Sequence, residues 1–88
     1  MSNPVRITLL TQADCGFCDQ AKEVLRRLGA EHPMEVTEIE LATEEGRRLA
    51  IEGGVLFAPG VIVDGRPFSF GRLSERKLRR RLEQRVGA

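Results

Sequence analysis

"TQADCGFCDQAKEVLRRL", Thr11 to Leu28, holds both cysteines of the chain, two residues apart, where a strand-like pattern gives way to a helical one. Upstream, "VRITLLT" (Val5–Thr11) is short, apolar and β-branched, which reads as a strand. From Cys15 onward, Phe17, Ala21, Val24, Leu25 and Leu28 recur at spacings of three and four, which predicts an amphipathic helix. Asp14 or Cys15 is placed to cap its start and Gly29 to end it. Cys15 therefore falls at a helix N-terminus, where unpaired backbone N–H groups and the helix dipole favour an anion. A thiolate is such an anion, and this setting lowers a cysteine pKa from about 8.5 to between about 3.5 and 7.5. The three-residue offset puts Cys18 one turn further on, on the inward side, close enough to close a disulfide onto Cys15.

The rest of the chain builds a domain around that junction. "MEVTEIELA" (Met34–Ala42) alternates, with Thr37, Ile39 and Leu41 on one side and Val36, Glu38 and Glu40 on the other. One charged face suggests an edge strand. Thr43 can cap a short helix through about Glu52, ended by Gly53-Gly54. In "FAPGVIVDGRPFSFG" (Phe57–Gly71), Asp64-Gly65 separates the apolar runs Val61–Val63 and Pro67–Phe70, a strong hairpin signal. Ser74 then caps a helix with Leu78, Leu82 and Val86 in one stripe. The order β-α-β-α-β-β-α implies two parallel strands joined by a right-handed crossover, then an antiparallel hairpin. Four strands in a mixed sheet covered by three helices make a small α/β domain, with 1–88 as its single extent.

Composition narrows the function classes. The chain has 88 residues, so folding hides only about 60–65% of its unfolded surface. With 41% hydrophobic residues a modest core is feasible without staples, and two cysteines cannot form a dense disulfide framework. "MSNPVRITLL" lacks the pattern of a signal peptide, and no apolar run approaches the roughly 20 residues of a membrane span. A cytoplasmic protein without a membrane partner is expected. Net charge is +1, but six Glu crowd residues 31–45, while Arg72, Arg76, Lys77, Arg79, Arg80, Arg81 and Arg85 crowd the C-terminal stretch. Such a split fits an acidic partner or nucleic acid, and a solvated helix face explains it as well; the solvated face is the reading expected here for the basic run. No aromatic residue lies within it to stack on bases, so no nucleic-acid partner is expected. With no third Cys and His32 as the sole His, nothing completes a tetrahedral zinc site.

The motif Cys15-Gly16-Phe17-Cys18, after a strand and opening a helix, resembles the thioredoxin-like superfamily, at small glutaredoxin or thioredoxin size. "GVLFAPGVIVDG" resembles that family's loop leading to a cis-proline, which gives Pro59 that role and sets Ala58 before it. "FGRLSERKLRRRL" resembles the family's closing Gly, Leu-Ser and helix. The likeness runs from Val5 to Leu82, so the implied fold is thioredoxin-like. There are departures. Asp14 and Gly16-Phe17 stand where thioredoxins have Trp and Gly-Pro, and Leu9 stands at the family's buried acid. Gln12 and Gly71-Arg72-Leu73-Ser74 stand where glutaredoxins have a Lys and a Gly-Gly-x-Asp stretch. Gly-Phe between the cysteines is also similar to monothiol glutaredoxins, which have Ser at the position of Cys18.

The resemblance implies a protein thiol–disulfide oxidoreductase with Cys15 and Cys18 as the catalytic pair and Phe17, Ala58 and Pro59 binding substrate. Partners would be protein disulfides, with a reductase or glutathione as electron source. The chain would act as a monomer with no cofactor and no metal. Two other readings stand beside it: a carrier that binds a metal or iron–sulfur cluster through Cys15, and a thioredoxin-fold interaction module whose thiols are idle.

Overall fold

The chain runs β1 (Val5–Thr11), α1 (Gly16–Gly29), β2 (Met34–Glu40), α2 (Glu44–Gly53), β3 (Gly60–Val63), β4 (Arg66–Phe70) and α3 (Glu75–Gly87). This computed structural model describes residues 3–87, and their side chains as far as 85. The four strands form one sheet in the order β2-β1-β3-β4. β1 and β2 are parallel, as a crossover through α1 requires. β3 runs antiparallel to both β1 and β4. The expected β-α-β-α-β-β-α thioredoxin-like arrangement is the one observed.

Period-two alternation sorts β1 and β3 between the two sheet faces. Val5, Ile7 and Leu9 of β1 join Val61 and Val63 of β3 on one face. There they meet Ala21, Val24, Leu25 and Leu28 of α1 with Leu73, Leu78 and Leu82, all buried. Leu10 and Ile62 point the other way, onto Ala50 of α2, with Ile39, Leu41, Leu49 and Val55 half-buried around them. Each fully buried Leu or Ile contributes about 1.5–3 kcal/mol, so the first face holds most of the stability. All of β3 is buried, as befits a central strand, whereas β2 lies at the edge and leaves Val36 exposed.

Local chemistry sets the boundaries. The Thr43 hydroxyl accepts the Gly46 N–H at 3.0 Å, and Gly54 closes α2 at φ +67°. Asp64 and Gly65 both take positive φ, the conformation a two-residue hairpin turn demands. The Ser74 hydroxyl accepts the Lys77 N–H at 3.2 Å.

Some expectations shift in detail. β2 stops at Glu40 rather than Ala42, because the Leu41 N–H turns back to the Thr11 carbonyl and Thr43 takes the Glu40 carbonyl. β3 and β4 each begin one residue earlier than the apolar runs suggested. Phe17 leaves the apolar stripe of α1, whose inward position is taken by Cys18. Leu78 and Leu82 are buried as the stripe predicted; the side chain of Val86 lies outside the described residues. The basic run is only partly solvated. Arg79 pairs with Glu31 at 2.6 Å and with Glu75 at 3.3 Å, and Arg85 pairs with Asp64 at 2.6 Å.

Candidate redox site

β1 ends at Thr11, and a short connection through Asp14, at φ +53°, delivers Cys15 to the start of α1. Cys15 is the N-cap, with extended backbone and a half-buried side chain. Its carbonyl accepts N–H groups from Cys18 at 3.1 Å and Asp19 at 3.3 Å, the first turn of the helix. The Cys18 N–H also reaches the Cys15 Sγ at 3.2 Å. The sulfur thus occupies the place that a capping Ser or Asp oxygen would take. Cys15 and Cys18 are joined as a disulfide across a Cα–Cα separation of 5.2 Å. Cys18 lies one turn inward, only 2% exposed. The two sulfurs therefore differ in access, one at the rim and one in the interior.

The register of β1 against β3 brings the second part of the site alongside. Leu10 pairs with Gly60, so the loop entering β3 lies beside the one leaving β1. The Ala58–Pro59 peptide bond is cis, as the resemblance implied. Both residues are buried, and among the described residues no backbone hydrogen bond outside the regular elements engages Ala58. The Pro59 carbonyl accepts the Gly71 N–H at 2.8 Å, tying this loop to the end of β4. Gly71 has φ +81°, which favours Gly, and a Cβ there would stand 3.0 Å from the Phe57 ring, which would have to shift.

Three aromatic rings stay in solvent at this end. Phe17 is 53% exposed and Phe57 54%, and Phe57 packs edge-on against exposed Phe70 with ring centroids 5.1 Å apart. A further anchor was not visible in the sequence. The Gln20 side chain donates to the Leu73 carbonyl at 3.0 Å and accepts the Leu73 N–H at 3.2 Å. This reciprocal pair clamps the Gly71–Ser74 loop onto α1. Just beyond it, Glu75 is held below the usual carboxylate range, chiefly by hydrogen bonds from Arg27 and then by the charges of Arg27 and Arg79. Only a contact across 53 residues reveals the clamp, and a lone Gln carries no motif.

A cysteine pair with one sulfur at the rim of a helix N-terminus and one in the interior can pass between thiol and disulfide states. Among the described residues, no group of three or more His, Cys, Asp or Glu is placed to hold a metal ion, and no helix is long and apolar enough to cross a membrane.

Comparison with known families agrees with this geometry. The family model described as Glutaredoxin-like domain (DUF836) matches residues 6–83. The chain belongs to this family. Among curated proteins, none matches it. Of the solved structures, a mutant thioredoxin from Halobacterium salinarum NRC-1 is similar at 24% identity and a TM-score of 0.69, over 93% of this chain and 74% of that one. A thioredoxin-like protein from Clostridium perfringens is similar at 16% identity and a TM-score of 0.75, over 92% of this chain and 70% of that one. At such identities these two structures speak for the fold alone, which is thioredoxin-like. The glutaredoxin-like domain, with its close cysteine pair, supports a redox role of the thioredoxin type.

Proposed function

We propose that this glutaredoxin-like protein is a protein thiol–disulfide oxidoreductase working through Cys15 and Cys18. The observation that carries the reading is the asymmetry of the pair: a rim sulfur capping α1 and an interior sulfur one turn away. In the reduced state the Cys18 N–H and the helix N-terminus favour the Cys15 thiolate. That thiolate attacks one sulfur of a partner disulfide; a mixed disulfide forms, and the partner's other sulfur leaves as a thiolate and takes a proton from water. The Cys18 thiol then gives up its proton and attacks the Cys15 sulfur. This step closes the Cys15–Cys18 disulfide and expels the second partner thiolate, so the partner gains two electrons and this protein loses them. An external dithiol or glutathione resets the pair. Leu9 is fully buried and provides no carboxylate to take the Cys18 proton, so the second step leans on solvent.

Ala58, with its backbone uncommitted, would hydrogen-bond an extended partner segment, Pro59 would shape the loop, and Phe17 would border the groove. Trapping tests this reading. Cys18→Ser should accumulate a stable mixed disulfide with a disulfide-containing peptide, and Cys15→Ser should accumulate little. Equal trapping by the two variants, or none by either, would sink the proposal.

A further inference from the structure

The basic stretch of α3 separates into two groups once its partners are known. Arg79 and Arg85 are taken by Glu31, Glu75 and Asp64, and the Arg81 guanidinium lies 5.8 Å from the centroid of the Phe68 ring. Arg72, Arg76, Lys77 and Arg80 are all exposed, and none has a carboxylate within ion-pair distance among the described residues. Arg76 and Arg80 are one helical turn apart, on the side of α3 opposite buried Leu78 and Leu82, with Lys77 beside them. Glu83 is the one carboxylate on that outer side, and it lies at the far end. The stripe begins at the redox site. Arg72 sits between Gly71, bonded to the Pro59 carbonyl, and Leu73, clamped by Gln20 of α1.

We propose that Arg72, Arg76, Lys77 and Arg80 form a docking stripe for an acidic segment of the protein partner whose disulfide reaches Cys15. This rests on the exchange reaction proposed above and names the chemistry of its substrate. Glu31, Glu75 and Asp64 are already matched and Glu83 pairs with none of the four cations, so the stripe's charge is left for another molecule. Its length is that of a short acidic segment: Arg76 to Arg80 spans about 6 Å at helical rise, and Arg72 extends the stripe from the loop before the helix. An acidic protein segment suits it better than nucleic acid. The net charge is only +1, the stripe holds no aromatic ring, and a long polyanion draws on a broad basic field that this chain lacks. A partner steered to the stripe arrives beside the Ala58–Pro59 loop, raising the encounter rate at Cys15 without altering the chemistry there.

The test uses two disulfide-closed peptides, identical except that Asp flanks the disulfide in one and Lys in the other, with hydroxyethyl disulfide as an uncharged control. The reduced protein should reduce the Asp peptide about tenfold faster than the Lys peptide at low salt. The gap should close as salt rises to about 0.5 M, where screening is short-ranged. The triple variant Arg72→Gln, Arg76→Gln, Arg80→Gln should lose the preference and keep its rate with hydroxyethyl disulfide. No preference, a preference indifferent to salt, or one that survives in the variant would overturn the stripe. Should the protein reduce none of the three disulfides, the exchange reading fails by itself. The stripe is then decided by fluorescence anisotropy on the Cys15→Ser, Cys18→Ser protein. Tighter binding of the Asp peptide, lost in the triple variant, supports it; equal binding of both peptides overturns it. Tighter binding of duplex DNA than of the Asp peptide at physiological salt would also overturn it, in favour of a nucleic-acid surface.

Discussion

β1 and β3 lie side by side along the middle of the sheet, and their two ends are treated in opposite ways. Where β1 begins and β3 ends, polar groups are tied to one another. Asp64 accepts the Arg6 N–H at 3.0 Å and the Arg85 Nε at 2.6 Å, its own N–H goes to the Arg6 carbonyl at 2.8 Å, and Arg85 also reaches the Pro4 carbonyl at 3.4 Å. Where β1 ends and β3 begins, the chain leaves groups uncommitted: the Ala58 backbone, the rings of Phe17, Phe57 and Phe70, and a disulfide with one sulfur at the rim. One end closes the sheet and the other leaves groups uncommitted. Surface polar ties stabilise modestly, and exposed apolar groups not at all, so an open end signals use rather than stability.

The cysteine end also holds one very close contact, and disturbing it has the largest expected effect. Gly46 of α2 lies so close to the Glu40 carbonyl that a Cβ would overlap it. Gly46→Ala must push α2 off the end of β2, at a cost of about 1–3 kcal/mol or more. Urea unfolding measures this, and an unchanged midpoint would show that α2 is not seated there. Smaller effects should follow at the open end itself. Phe57→Ala should cost no more than about 1 kcal/mol of stability, since the ring is half in solvent and loses one edge-on partner. It should slow exchange with apolar-flanked disulfide peptides about fivefold, the equivalent of about 1 kcal/mol of contact. If stability suffers and exchange does not, the ring belongs to the core and the end is not open.

The smallest effect belongs to the closed end. Asp64 is held below its ordinary range, first by the Arg6 N–H and then by the hydrogen bond and charge of Arg85. A depressed folded value stabilises the protein above the ordinary Asp range, and that contribution disappears as pH falls through the folded value. Asp64→Asn keeps a residue that tolerates the positive φ and removes the charge. It should lower stability by about 0.5–1 kcal/mol at neutral pH, leave exchange unchanged, and match the parent protein in acid. A stability gap that persists in acid would mean the carboxylate charge is not what ties this turn.

Much of the frame could be read from short-range signals, because the residues that end each element act locally. Thr43, Gly54, Asp64-Gly65 and Ser74 each do what their chemistry dictates within a few positions. Cys15 at the head of α1 and Cys18 one turn inward followed from the strand–helix junction and the three-residue offset, although the spacing also put Phe17 on the stripe that it leaves. What escaped depends on distant pairing. Nothing near Gln20 announces Leu73, nothing near Glu31 announces Arg79, and Gly46 looks like an ordinary helix glycine until the end of β2 is placed against it. Likewise, Phe57 and Phe70 look like core residues by composition. Only the pairing of Phe70 with Gly60 at the start of β3, and the packing of Phe57 on Phe70, show that they lie at the rim.

The central claim is that the two sulfurs are unequal, and competitive alkylation tests it most directly. The reduced protein is treated briefly with iodoacetamide at about pH 6, where an ordinary thiol of pKa about 8.5 hardly reacts, and the labelled cysteine is located by mass mapping. The account predicts that Cys15 is labelled first and fast, with Cys18 protected by burial until the protein is unfolded. Labelling of Cys18 first, or of both at the same slow rate, would contradict it.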